Sequence, residues 1–201
     1  MSIYDLKTSF QNVLRPICRK LATYGVTANQ VTIAALCLSV ATGFSIWLSK
    51  GANWSLALVP IVMFVRMALN AIDGMLAREH NMKTDLGAIL NELGDVISDT
   101  ALYLPFAVIP GVSPELIVLV VVLAIISEMS GVLAILIGTQ RRYDGPMGKS
   151  DRAFVFGLIA LLLAFDIQTG PWLQVLLAAV VLMLLLTIAN RTRNALAEIT
   201  S

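Results

Sequence analysis

Polar side chains at helical spacing within long apolar stretches constrain this chain more than any other feature of its sequence. A carboxylate or carboxamide in the middle of a bilayer helix is costly, so its presence there marks a candidate functional site. Small residues accompany the polar ones in the pattern, which consists of Asn70, Asp73, Gly74, Ala77, Arg78, Gly87, Asn91 and Asp95.

The composition excludes a soluble domain. Of 201 residues, 58% are hydrophobic and 13% are charged, and the mean hydropathy is +0.83. Helices crossing a hydrocarbon layer of about 30 Å need long apolar segments of this kind. We therefore predict an all-α integral membrane protein, a bundle of six transmembrane helices. The predicted spans are residues 30–49, 55–79, 87–110, 114–138, 152–168 and 171–192.

Residues 1–25 form an amphipathic segment ahead of the first predicted span. Its charged and amide face is typical of a helix that lies on a membrane surface. The predicted domains are a juxtamembrane helix over residues 1–25 and one membrane domain over residues 26–201. The apolar face consists of Tyr4, Leu6, Phe10, Val13, Leu14, Ile17 and Leu21, and the polar face of Lys7, Gln11, Arg15, Arg19 and Lys20.

The basic residues predict the orientation of the bundle. Of the 14 Lys and Arg residues, only Lys50 falls in a loop on the opposite side and only Arg66 falls within a span. The positive-inside rule then places both termini, with the loops around residues 80–86 and 140–151, in the cytoplasm. We expect the polar site to face the cytoplasm too.

Two helical faces carry the polar pattern. Residues three or four apart share one face of a helix, and a connection as short as residues 80–86 makes the second and third spans antiparallel neighbours. The two faces can therefore meet. One consists of Asn70, Asp73 and Ala77, and the other of Gly87, Asn91, Asp95 and Asp99.

The carboxylates of Asp73 and Asp95 are expected at similar depth on these faces. Facing acids repel one another and take up protons unless a cation neutralises them. Oxygen ligands of this kind suit Mg²⁺ or Mn²⁺, which in turn bind phosphate groups. The residues themselves therefore predict a divalent metal site.

The pattern resembles the signature of the CDP-alcohol phosphotransferase family, D-x2-D-G-x2-A-R-x8-G-x3-D-x3-D. This chain reads N-x2-D-G-x2-A-R-x8-G-x3-N-x3-D from Asn70 to Asp95, so the spacing is complete and six of eight positions match. The segment from Val26 to Thr32, V-T-A-N-Q-V-T, is similar to the family's T-P-N-x-L-T.

The resemblance implies transfer of a phosphatidyl or similar group from a CDP-activated lipid, expected to be CDP-diacylglycerol, to an acceptor hydroxyl. CMP is released, and the reaction belongs to phospholipid biosynthesis. It further implies Mg²⁺ or Mn²⁺ as cofactor, contact with membrane lipids, a homodimer, and a bacterial inner membrane location. The acceptor alcohol stays open, and nucleic acid is not an expected partner.

The resemblance also assigns roles to individual residues. Asp95 would be the general base and a metal ligand, with Asn70, Asp73 and Asn91 at the other metal positions. The nucleotide-binding residues would be Asp73, Gly74, Ala77, Arg78 and Gly87.

Two departures from the signature affect the metal site, because Asn70 and Asn91 stand where the family has Asp. An amide oxygen can bind Mg²⁺, but it contributes a dipole in place of a charge. Glu128 or Asp99 could supply missing charge as further metal ligands. Alternatively, Glu128 is protonated or bonded to a neighbouring serine. Arg66 could pair with Asp73 or Glu128, or bind a donor phosphate.

The loop before the fifth span carries basic residues and helix breakers. Lys149 and Arg152 are candidate ligands for an anionic acceptor or a lipid headgroup, and the alternative is that they only set the topology. Two other functions compete with the transferase: a non-catalytic relative that binds CDP-lipid or lipid, and a transporter that uses its intramembrane acids as a relay.

Overall fold

The computed structural model describes residues 3–199, with side chains from residue 8 onward. The side chains of Tyr4 and Leu6 from the predicted apolar face and of Lys7 from the predicted polar face lie outside the described residues, as do the first two and last two positions of the predicted domains. Regular structure in the described range is helical throughout. The helices are α1 (Ile3–Thr23), α2 (Ala28–Ser49), α3 (Asn53–Glu79), α4 (Asp85–Tyr103), α5 (Pro114–Leu136), α6 (Lys149–Ala164) and α7 (Pro171–Ile199), and a 3₁₀ helix (Leu104–Val108) follows α4.

Four of these helices, α2, α3, α5 and α7, are long and apolar enough to cross a membrane. The all-α membrane class is thereby confirmed. Helix α4 contains the acidic residues Asp85, Glu92, Asp95 and Asp99, and α6 has only 16 residues, which is about 24 Å of helix. The count of six spans therefore stays a prediction.

The helix boundaries differ from the predicted spans by more than three residues at three places. The third span, 87–110, is a helix only to Tyr103, because Pro105 lacks an amide proton and its ring disfavours helical geometry at the residue before it. Helix α6 ends at Ala164, earlier than residue 168. Helix α7 continues to Ile199, past residue 192.

The chain divides into two compact units. The first comprises the described residues up to Ala41 together with Ile61–Ser98, and the second comprises Thr42–Pro60 with the described residues from Asp99 onward. Helices α2, α3 and α4 contribute residues to both units.

In the first unit, the amphipathic helix α1 packs on apolar residues of α2 and α3. The guanidinium of Arg15 donates to both carboxylate oxygens of Glu79, at 3.0 and 3.2 Å. Val13 and Ile17 on α1 are 72% and 50% exposed, an apolar surface suited to lipid. The buried residues of this core are Leu14, Cys18, Ala28, Val31, Ile72, Met75 and Leu76.

In the second unit, α5 packs against α7 and the 3₁₀ helix. The ring of Phe156 from α6 stacks on Tyr103 at 4.2 Å between centroids and meets Phe106 edge-on at 5.3 Å. All three rings are fully buried. Aromatic pairs in these geometries add to the stabilisation that comes from burial alone.

Helices α2 and α4 approach closely within the second unit at Gly43. A Cβ atom built on Gly43 would collide with the backbone carbonyl oxygen of Ala101. Small residues at such contacts allow membrane helices to pack backbone against backbone.

Gly43→Ala is therefore expected to destabilise the protein by about 1–3 kcal/mol, since a backbone atom cannot move aside as a side chain can. Gly94→Ala is the matched control, because a Cβ at Gly94 lies at an ordinary 3.5 Å from the Thr32 methyl group. Thermal unfolding in detergent measures both variants. Equal stability of the two would contradict the close approach at Gly43.

Candidate active site

The first unit contains a cavity of about 560 Å³ between α2, α3 and α4. Seven of the eight residues of the polar pattern line it, and the eighth, Asp95, contacts one of them. The structure thus brings together residues that are separated by up to 63 positions, from Ala28 to Asn91. The lining consists of Ala28, Asn29, Thr32, Asn70, Asp73, Gly74, Ala77, Arg78, Met82, Lys83, Thr84, Asp85, Gly87, Ala88 and Asn91.

Thr84 begins α4 at the edge of this cavity. Its hydroxyl oxygen accepts a hydrogen bond of 2.9 Å from the backbone N–H of Gly87, which is an N-cap interaction. The side-chain amide of Asn29 donates to the same hydroxyl at 3.5 Å. A Cβ on Gly87 would lie 2.7 Å from Asn29 Oδ1, so a larger residue at this position would require the Asn29 side chain to shift.

Asp73 is buried, at 6% exposure. The hydroxyl of Thr32 lies 2.8 Å from Asp73 Oδ2 and donates to it. The sequence analysis did not assign a role to Thr32, although the residue closes the V-T-A-N-Q-V-T segment that carries part of the family resemblance. The contact explains why that segment accompanies the acidic pattern: it supplies a hydrogen-bond donor to an acid on the neighbouring helix.

Asp95 accepts hydrogen bonds from two side chains of α3. The amide of Asn70 donates to Oδ1 at 3.3 Å. Arg66 Nη2 lies 3.4 Å from the same oxygen and 3.2 Å from the backbone carbonyl oxygen of Asp95. Asp95 was not among the partners considered for Arg66 from the sequence. Helical spacing contained a signal for this pair, because Arg66 lies one turn from Asn70 on the same face.

Arg78 lies against Gly74 within the cavity. A Cβ on Gly74 would lie 3.1 Å from Arg78 Nη2, so the missing side chain makes room for the guanidinium. Lys83 also lines the cavity. Two cations and the N-terminus of α4 are groups that favour an anionic ligand such as phosphate, and the carboxylates of Asp73 and Asp85 line the same cavity.

The four predicted metal positions offer oxygen donors of the kind that Mg²⁺ and Mn²⁺ prefer, two carboxylates and two carboxamides. Asn70, Asp73 and Asn91 line the cavity, and Asp95 is bonded to Asn70. Among the described residues, no group of three or more His, Cys, Asp or Glu side chains is arranged to hold a metal. The donor set therefore fits a divalent cation, with less negative charge than four acids would supply.

The further acids Glu128 and Asp99 lie in the second unit, where arginines bind both. Arg152 Nη2 lies 3.0 Å from Glu128 Oε1 and 3.0 Å from Asp99 Oδ2. Arg191 and Arg141 also contact Glu128, at 3.4 and 3.1 Å. We define these five residues as the arginine cluster. Within it, the negative charge of Glu128 and Asp99 is balanced by guanidinium groups.

A bond between Glu128 and a neighbouring serine was the alternative considered from the sequence, and the structure shows other partners for both serines. The hydroxyls of Ser127 and Ser130 donate to backbone carbonyls of their own helix, at 2.9 and 2.8 Å. Sequence reasoning missed the three arginine partners because they come from a loop, α6 and α7. No helical periodicity relates those segments to α5.

Arg152, a predicted acceptor ligand, is 1% exposed. Besides the two acids, its Nη1 donates to the Met147 carbonyl oxygen at 3.3 Å and contacts Ser127 Oγ at 3.4 Å. Lys149, the other predicted acceptor ligand, is half-buried at the start of α6. Of the two, Lys149 is the more accessible to a bound molecule.

The loop between α5 and α6 is held by a second group of charges that the sequence analysis did not identify. Arg142 donates to both carboxylate oxygens of Asp144, at 2.8 and 3.1 Å, and to Glu198 at 2.6 Å. The hydrogen bond from Arg142 holds the pKa of Asp144 below its ordinary value. Asn194 donates to Asp144 at 3.1 Å, which ties the loop to the extended end of α7.

Glu128→Ala is expected to destabilise the protein by about 3–5 kcal/mol, because it leaves buried guanidinium groups without their shared carboxylate. Glu115→Ala is the control, since Glu115 is an exposed acid on the same helix. Unfolding of both variants in detergent, followed by circular dichroism, tests the expectation. A Glu128→Ala protein as stable as the control would show that the arginine cluster does not stabilise the fold.

Comparison with known proteins agrees with this geometry. A sequence model of the CDP-alcohol phosphatidyltransferase family matches residues 25–191. The chain is 49% identical to the inner membrane protein YnbA of Escherichia coli strain K12 over 196 residues, which cover 98% of this chain and 97% of YnbA.

Solved structures of the Mycobacterium tuberculosis phosphatidylinositol phosphate synthase PgsA1 have the same fold. The structure with CDP-DAG bound has a TM-score of 0.78 at 21% identity, and covers 92% of this chain and 94% of PgsA1. The structure in complex with manganese and citrate has a TM-score of 0.76, also at 21% identity, with 90% and 87% covered.

The family match extends over most of the chain, including the whole of the cavity lining and the arginine cluster. Its members are enzymes that transfer phosphatidyl groups. This chain belongs to the CDP-alcohol phosphatidyltransferase family.

Proposed function

We propose that this protein is a transferase that moves the phosphatidyl group of CDP-diacylglycerol to an acceptor hydroxyl and releases CMP. The observation that carries the proposal is the cavity, because seven of eight positions of the polar pattern line it together. The family match and the binding of CDP-DAG by PgsA1 support the donor.

The cavity residues suit a nucleotide diphosphate. Arg78 and Lys83 supply positive charge, and α4 begins at the cavity with backbone N–H groups directed toward its N-terminal end. Gly74, Ala77 and Gly87 would shape the nucleotide pocket, with Arg78 and Asn29 packed against the two glycines. In this proposal Asp73 contacts the nucleotide as well as the metal.

Asp95 is the proposed general base, which accepts the proton of the attacking hydroxyl as the new phosphorus–oxygen bond forms and CMP leaves. Asn70, Asp73, Asn91 and Asp95 would hold Mg²⁺ or Mn²⁺, and PgsA1 was crystallised with manganese. A bound divalent cation would offset the charge of the diphosphate. Lys149 and Arg152 are the proposed contacts for an anionic acceptor or headgroup, and we propose no further metal role for Glu128 and Asp99.

The same proposal includes a six-span arrangement with both termini in the cytoplasm. The short helices α4 and α6 would be the third and fifth spans, and both expose large apolar side chains, among them Ile89, Leu93 and Phe154. A bacterial inner membrane location is supported by the relative YnbA, which is named as an inner membrane protein. A homodimer stays a proposal that only the family resemblance supports.

If the protein is a transferase, the purified protein in lipid should release CMP from CDP-diacylglycerol in a metal-dependent way. CMP release is measured across a panel of acceptor alcohols. Asp95→Asn is expected to lower the rate by about 10²–10⁴-fold, because it removes the proton acceptor. Asp166→Asn is the control: it also removes one carboxylate, at a loop position where Asn53 is the hydrogen-bond donor.

No CMP release with any acceptor would contradict the transferase. If the protein still bound CDP-lipid in that case, the result would favour the non-catalytic alternative. Equal loss of activity in Asp166→Asn and Asp95→Asn would contradict a specific role for Asp95.

Gly87→Ala is expected to weaken donor binding, raising KM for CDP-diacylglycerol about tenfold or more. The added Cβ would lie 2.7 Å from Asn29 Oδ1, so the Asn29 side chain must shift, and both residues line the cavity that would hold the donor. Steady-state kinetics at varied donor concentration separates this effect from a change in kcat. A KM equal to that of Gly94→Ala would place the nucleotide elsewhere.

A further inference from the structure

We propose that Arg66 is a positioning residue that supplies a fixed positive charge at Asp95, so that this site binds a single divalent cation per chain. The inference deepens the proposed function and rests on it for the identity of the metal site. Arg66 lies outside the eight-residue pattern, and nothing in the pattern itself requires a cation at this position.

The burial of Arg66 is the first observation. The residue is 4% exposed in α3, a helix long and apolar enough to span a membrane. A guanidinium in such a position is costly and marks a candidate functional site unless it only completes a structural pair. Arg66 contacts Asp95, the proposed general base. This contact distinguishes Arg66 from an arginine whose only partner is an acid far from the cavity.

The second observation is how Arg66 holds Asp95. Nη2 lies within reach of the backbone carbonyl oxygen and of Oδ1, at 3.2 and 3.4 Å. A donor that engages main chain and side chain together restricts the rotation of the carboxylate. Arg66 therefore positions Asp95 as well as balancing its charge.

Asn70 completes this arrangement. Its amide donates to the same oxygen, Asp95 Oδ1, at 3.3 Å. An aspartate in place of Asn70 would bring two acceptors together there and would need a cation between them. Two N–H donors therefore lie at Oδ1 and would compete with a cation for this oxygen.

The charge balance agrees with a single ion. Asp73 and Asp95 together carry a charge of −2, and Arg66 lowers the magnitude to −1. One divalent cation then leaves a charge of +1 on these residues, and two leave +3. Arg78 and Lys83 in the cavity lining add two further positive charges and Asp85 adds one negative charge. A diphosphate ligand therefore neutralises the site more completely with one cation than with two.

Mn²⁺ binding tests the inference without turnover. Equilibrium dialysis of Mn²⁺ against the purified protein in lipid nanodiscs gives the number of ions per chain, and electron paramagnetic resonance gives the free Mn²⁺. The variants are Arg66→Gln, Arg66→Lys, and the double variant Asn70→Asp with Asn91→Asp, the last made both with Arg66 intact and together with Arg66→Gln. Lys50→Gln is the matched control, because it removes a positive charge from the turn between α2 and α3.

We expect one Mn²⁺ per wild-type chain. Arg66→Gln should bind that ion about tenfold more tightly, because a neighbouring positive charge is removed. Arg66→Lys, which retains the charge, and Lys50→Gln should resemble wild type. A second Mn²⁺ should bind at comparable concentration only when both acids are restored and Arg66 is neutralised.

Two Mn²⁺ ions bound by the wild-type chain would overturn the inference, and this holds even if an Arg66 variant fails to fold. Unchanged Mn²⁺ affinity in folded Arg66→Gln would overturn it as well. Because neither readout requires CMP release, failure of the proposed transferase reaction would be seen separately, in the activity assay.

Discussion

The hydrogen bonds from Asn70 and Arg66 to Asp95 join the two helices on which the cavity depends. They connect α3 to α4 by a carboxylate, an amide and a guanidinium, of which the Arg66 guanidinium is buried. Away from water, a polar group without a hydrogen-bond partner raises the free energy of the folded protein by several kcal/mol. The pairing therefore fixes which faces of α3 and α4 meet, and with them the positions of Asp73, Gly74 and Gly87.

The second unit balances buried charge by the same physical rule with different elements. Glu128 on α5 accepts contacts from guanidinium groups of the loop, α6 and α7, and Asp99 shares Arg152 with it. Each group would be expensive to bury alone, and breaking a buried pair costs more than its formation contributes. Both units thus use arginine as the counter-charge for an acid, close to or within the spanning helices.

The residues that match the family pattern and those that depart from it act on the same cavity. The characteristic spacing of small and acidic residues creates a cavity with room for a nucleotide, and the two amides reduce the negative charge around it. Arg66 adds a positive charge that the pattern does not contain. A transferase with these residues would hold its metal and its base in a different charge balance from one with four acids.

The sequence alone determined the membrane class, the helical content and seven of the fifteen residues that line the cavity. Apolar length and period are local properties, so helices α2, α3 and α5 could be predicted within two residues, as could the start of α7. Spacing of three or four put Asn70 and Asp73 on one face. The early end of α4 at Tyr103 could also have been inferred, since Pro105 acts locally.

Only the tertiary structure decided which partner each charge has. Thr32 with Asp73, Arg66 with Asp95, and the three arginines with Glu128 are contacts between separate segments. Helical period states which way a side chain faces on its own helix, but it contains nothing about which helix lies opposite. The pairing of buried charges depends on that packing, because electrostatic energy is set by distance in space and not by separation along the chain.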